Sequence, residues 1–158
     1  MTSRRLFITQ GVTTLIASSQ EEALTSERSA SDDWLVKRVS DARYETLSLG
    51  RVRYAHAHEA QIEPRVAQSP TQISLVPGDA IVLRPPVEPE TAEELCQSVM
   101  TWRGRQDHVW LRNGDEFSGT FLYLDIRFVS FQAFGVVVKT PRYLTRAIRL
   151  GLERSARL

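Results

Sequence analysis

His56 and His58 are two positions apart and would project from the same side of a strand, so with His108 or Cys96 they offer donors suited to zinc or copper. No fourth ligand stands at a matching spacing, and a histidine pair in a polar connecting stretch is read as surface. Cys96 is the single cysteine, which rules out an internal disulfide and a cysteine-rich zinc site and favours a reducing compartment. It falls within a helical stretch with no glycine-rich elbow around it, so reactive thiol chemistry is not expected. The sequence shows no phosphate-binding glycine loop and no paired-carboxylate motif. The expectation is a non-enzyme with no catalytic residues, no bound metal and no cofactor.

The densest chemistry is cationic. Residues 101–158 hold Arg103, Arg105, Arg112, Arg127, Lys139, Arg142, Arg146, Arg149, Arg154 and Arg157 against Asp107, Asp115, Glu116, Asp125 and Glu153. Ten cations against five acids make this part +5; with a net charge of +1 for the chain, the rest is −4. Nearly every cation is arginine, whose planar fork suits phosphate and carboxylate. Interleaved Tyr143 favours nucleic acid, and a solvated basic face is the plain alternative.

The elements that must position these groups divide the 158 residues into three parts. Residues 1–30 read as a targeting-like or disordered tail. Arg4 and Arg5, many Ser and Thr, and no acid before Glu21 are the composition of a mitochondrial targeting peptide. Ser3-Arg4-Arg5-Leu6-Phe7-Ile8 also resembles a twin-arginine export signal, and an ordinary tail is the third reading. No apolar run approaches the roughly 20 residues of a membrane span.

Residues 31–89 read as a helix followed by an extended segment that wraps a partner. Ser31 would cap the helix, Asp32 and Asp33 sit in its first turn, and Leu35, Val39 and Ala42 share a face to about Glu45. Residues 51–58 alternate like a strand but also tolerate a helix. Ile73–Val76 and Ala80–Leu83 read as short strands around Pro77-Gly78-Asp79, or equally as one extended strand with a kink.

Residues 90–158 read as a barrel. Glu90–Glu94 with Leu95, Val99 and Trp102 predicts a short amphipathic helix up to Gly104. Asn113-Gly114 is a strong hairpin signal, because both residues accept the positive φ of a tight turn. From Phe117 to about Ala133 runs one long β-forming stretch with Gly119 inside it, where a missing side chain permits bending. Strands at Gly135–Lys139 and Tyr143–Leu150 complete the set, with Pro141 between them. The expected fold class is mainly β with an N-terminal helix: a strongly bent five-stranded barrel plus an N-terminal extension.

Val109–Asp125, with its Asn113-Gly114 turn, Gly119 and Asp125 in place, resembles the first signature of the Sm and Sm-like family. The resemblance covers about 65 residues and implies the Sm-like form of that barrel, with edge strands that pair with neighbouring Sm-fold chains. It also implies an RNA contact near Asp125, where Phe128 would stack on a base, although Val129 stands where the family has a base-reading Asn. The second signature, an apolar residue followed by Arg-Gly, is Val138-Lys139-Thr140 here, which weakens that contact. In keeping its barrel while losing its base readers, the chain is similar to the divergent Sm-like Gemin subunits of the SMN complex. The same hairpin features also occur in SH3-like and other small barrels.

The expected function is a non-catalytic subunit of a ribonucleoprotein or its assembly machinery. It would act by edge-strand contacts with other Sm-fold or complex subunits, with weak RNA backbone binding through the basic C-terminal region. The residues expected to touch RNA or a partner are Asp125, Phe128, Lys139, Arg142, Arg146 and Arg149. The alternative is a structural accessory subunit of a mitochondrial complex such as the mitochondrial ribosome. Localisation follows the first twenty residues: mitochondrial if they are a targeting peptide, nuclear or cytoplasmic otherwise.

Overall fold

The computed structural model describes residues 32–64 and 70–152. The tail expected at 1–30, the expected cap Ser31, and Arg154 and Arg157 lie outside the described residues. In chain order the elements are β1 (Asp33–Ser40), β2 (Arg43–His56), β3 (Glu59–Pro64), β4 (Thr71–Ser74), β5 (Ala80–Val82), α1 (Pro89–Met100), β6 (Asp107–Leu111), β7 (Glu116–Leu124), β8 (Phe128–Ala133), β9 (Val136–Pro141), a 3-10 turn (Arg142–Leu144) and β10 (Thr145–Arg149). The strands form one antiparallel sheet in the order β9-β8-β7-β6-β10-β5-β1-β2-β3-β4. The sheet curls far enough that the end of β2 also pairs with β7, Ala55 against Leu124 and His56 against Tyr123.

This corrects the expectation of a five-stranded Sm-like barrel behind an N-terminal helix and extension. Ten strands share one sheet, and the helix of the described residues lies mid-chain, at Pro89–Met100. The helix expected from Ser31 to about Glu45 is instead the strand pair β1–β2. Leu35, Val39 and Ala42 fit a helical face, but Leu35 and Val36 are both buried, on opposite sides of a strand, and that double burial decides the conformation.

The same alternation builds two apolar layers. Leu35, Ile81, Val109, Phe121, Phe131 and Ile148 point inward to one cluster. Their neighbours Val36, Ala80, Val82 and Ala147 point outward and meet Cys96, Val99 and Met100 of α1. The helix thus lies over the central strands β1, β5 and β10. Burying each larger aliphatic chain contributes about 1.5–3 kcal/mol. Pro89 starts the helix at a position where its missing N–H costs nothing.

The chain also repeats its own path. β1 to β4 form a meander, and β5 returns to pair with β1. In the same way β6 to β9 form a meander, and β10 returns to pair with β6. The returning strands β5 and β10 pair with each other and join the two units. Corresponding residues do the same work. Asp33 accepts the amides of Val52 on β2 and Arg84 after β5, at 2.8 and 3.0 Å. Asp107 accepts those of Phe121 on β7 and Gly151 after β10, both at 2.7 Å. Opposite them stand Gly50 and Gly119, where a Cβ would collide with the carbonyl oxygens of Glu63 and Gln132.

Candidate binding cleft

The long β stretch expected from Phe117 to Ala133 is broken at Asp125, whose Oδ1 accepts the amides of Arg127 and Phe128, each at 2.8 Å. This side-chain turn separates β7 from β8 and places Phe128 at the rim of a cleft of about 410 Å³. Arg51, Leu83, Arg84, Arg112, Ile126, Arg127, Pro141, Arg142 and Tyr143 line the rest. Desolvation, the largest single influence, raises the Asp125 carboxyl, but the two amides and the charges of Lys139 and Arg127 together outweigh it and leave the pKa below its ordinary value.

Arg142 is buried and holds the floor. Its Nη2 donates to Asp33 Oδ2 at 2.6 Å and its Nη1 to the Asp125 carbonyl at 3.0 Å. Burial lowers its pKa and Asp33 opposes that shift. Arg112 stands above the floor with Nε on the Tyr143 carbonyl, 3.0 Å, and Nη2 on the Leu83 carbonyl, 2.7 Å. Its pKa is lowered by desolvation and then by the neighbouring charges of Arg146 and Arg84. Arg84 has a left-handed backbone, φ 46°, pinned by the hydrogen bond that its backbone N–H donates to Asp33 Oδ1. Among the described residues Arg51, Arg84, Arg127 and Arg146 form no ion pair within 4.0 Å. Six guanidinium groups therefore gather around two carboxylates, Asp33 and Asp125.

Five of the six expected contact residues come together here. Asp125, Phe128 and Arg142 form the wall and floor, Arg146 neighbours Arg112, and Lys139 Nζ stands 5.8 Å from the Phe128 ring centroid. Arg149 does not join them. It is 1% exposed and points to the other side of the sheet, where Nη1 donates to the carbonyls of Val99 and Trp102 at the end of α1, 2.8 and 3.1 Å. Alternation along β10 sends it outward with Ala147, toward the negative end of the helix dipole. Desolvation, followed by the charges of Arg103 and Arg38, lowers its pKa to about 10.

Sequence reasoning missed Arg51 and Arg84, which lie in the stretch read as an extension, and Asp33, which it took for a residue in the first turn of a helix. Arg112 was visible as a cation beside the Asn113-Gly114 turn, but nothing local marked it as part of a site. Only the pairing of the two units brings these residues together.

The sheet also leaves one long edge. Among the described residues β9 pairs with β8 on one side only, and Val136 and Val137 are 57% and 56% exposed. The two-residue turn before it, Phe134-Gly135, has positive φ at both positions, 56° and 77°, and Phe134 is 80% exposed.

Two other groupings have structural explanations. The rings of His56 and His58 are 6.1 Å apart, and no cluster of three or more His, Cys, Asp or Glu able to hold a metal occurs among the described residues. His108 Nδ1 lies 2.7 Å from Ser118 Oγ and Nε2 2.7 Å from Glu116 Oε1, an order of groups seen in hydrolases. The imidazole is 4% exposed and stacks on Trp102 with ring centroids 3.9 Å apart, so it serves as a link between β6 and β7. Burial, followed by the charge of Glu93, raises the Cys96 thiol to about 12, which keeps it protonated. No helix among the described residues is long and apolar enough to cross a membrane. Compared with protein-family models, curated proteins and solved structures, the chain matches none.

Proposed function

We propose that this chain is a non-catalytic binding subunit that holds a partner protein by pairing a strand along the open edge of β9. The observation that carries this reading is an edge that is unpaired among the described residues and bears Val136 and Val137, with exposed Phe134 at its start. Edges of soluble sheets are normally blunted by charge or proline, and here Lys139 and Pro141 guard only the far end. A partner strand would satisfy the free backbone groups and cover the valines. The tagged full-length chain, captured with and without ribonuclease, provides the test. A β-rich partner should survive digestion and be lost with Val137→Pro, which removes an edge donor. Equal recovery by the variant would sink the proposal.

A second contact, with the phosphate backbone of RNA in the same assembly, is favoured by the surplus of guanidinium groups in the cleft. Partners lost on ribonuclease treatment would give this contact the larger share.

A further inference from the structure

We infer that the arginine cleft is a binding site for a nucleoside phosphate, with guanidinium groups on the phosphate and an exposed aromatic ring against the base. This goes beyond strand pairing at β9 and beyond backbone contact, because it assigns a discrete base-and-phosphate unit to one cavity. The size fits: about 410 Å³ is in the range of sites for a single small ligand.

The phosphate half rests on Arg112, Arg84, Arg51 and Arg127. The carbonyls of Tyr143 and Leu83 fix Arg112, and its Nη1 makes no hydrogen bond among the described residues. An already oriented guanidinium loses little freedom on taking a phosphate oxygen. Arg84 is held in a left-handed conformation unusual for a residue with a side chain, and such strain gathers at functional sites. Desolvation and then the neighbouring charges of Arg146 and Arg84 lower the Arg112 pKa, and a bound dianion relieves that repulsion.

The base half rests on Tyr143, 67% exposed, and Phe128, 37% exposed, which line the same cavity as the arginines. Inorganic phosphate would leave both rings in water, and a lipid headgroup offers no planar ring to stack. Stacking of a base on an aromatic side chain is tolerant of sequence, so the cleft selects the nucleotide form before it selects a base.

Calorimetric titration of the full-length chain with adenosine monophosphate, uridine monophosphate, inorganic phosphate and adenosine tests the inference. Both nucleotides are expected to bind about ten-fold or more tightly than inorganic phosphate, with adenosine weakest. Tyr143→Ala should bring nucleotide affinity down toward that of phosphate, and Tyr143→Phe should restore it. Arg127→Ala and Arg51→Ala, both exposed and without an ion pair among the described residues, should each weaken nucleotide and phosphate together by several-fold. A short strand with a 5′ phosphate, compared with the same strand lacking it, separates the two sources of the ligand. A preference for the phosphorylated strand assigns the cleft to a strand end, and parity with the free nucleotide assigns it to the free form; both support the site. Equal affinity for phosphate and nucleotide, binding of adenosine as strong as that of its monophosphate, or no nucleotide binding at all would overturn it. Binding of long RNA alone would also overturn it, while leaving backbone contact by the cleft intact.

Discussion

Asp33 Oδ2 accepts from the Val52 amide and from Arg142, while Oδ1 accepts from the Arg84 amide. One buried carboxylate therefore ties β1 to β2, fixes the strained backbone at Arg84 and neutralises the floor of the cleft. Asp33→Asn turns an NH2 donor toward donors that Asp33 now accepts and leaves Arg142 buried without its counter-charge. Urea denaturation should register a loss of about 3–5 kcal/mol, the range for breaking a buried ion pair. Arg149→Ala leaves the carbonyls at the end of α1 without their donor and should cost about 2–3 kcal/mol in the same assay. Asp125 supplies a pH dependence. Its folded pKa lies below the ordinary 3.8, so its contribution is present above that value and is lost as pH falls through the lower, folded one. Stability measured in acid should show this limb in the wild type and lose it in Asp125→Asn.

At the scale of elements, the turn at Phe134-Gly135 offers a sharper test of β9. Two positive φ values favour Asn-Gly, so Phe134 occupies a conformation that suits Asn better. Phe134→Asn should leave stability unchanged or raise it by up to about 1 kcal/mol, and should weaken capture of the partner. A ring kept only for folding would give the opposite pair of results. Which elements were legible in the sequence follows from how local their causes are. The Asn113-Gly114 hairpin, the helix after Pro89 and the strand ending at Pro141 are set by residues within a few positions of one another, and all three are present. β1 was misread because Leu35 and Val39 fit a helical period, while its conformation depends on β5 and β2 on either side. Asp125 was legible as a signature residue, but its role in breaking one long strand into β7 and β8 depends on its own side-chain bonds to the next amides. The cleft was half legible: its β7–β10 side contained expected residues, and its β2 and β5 side contained none.

For the whole molecule, the repeated path explains why the site escaped a local reading. Asp33 and Asp107, Gly50 and Gly119, Val52 and Phe121 correspond in position and bonding, yet the two stretches share little sequence beyond those few residues. At the end of the first unit's returning strand stands Arg84, and at the end of the second's stands Gly151, where a Cβ would collide with the Arg105 carbonyl oxygen. One unit thus presents a cation at this position and the other packs it closed. The two-fold path also has a mechanical consequence. β1 and β10 flank β5 with Trp34 and Ala147 both level with Val82, and Val36 and Arg149 both level with Ala80, so they run in the same direction. The described chain enters at one end of this central trio and leaves at the other. Tension applied through Asp32 and Leu152 would act along the strands and across their hydrogen bonds, loading the bonds together instead of one after another. A single-molecule pulling experiment should record one high-force rupture for the whole sheet.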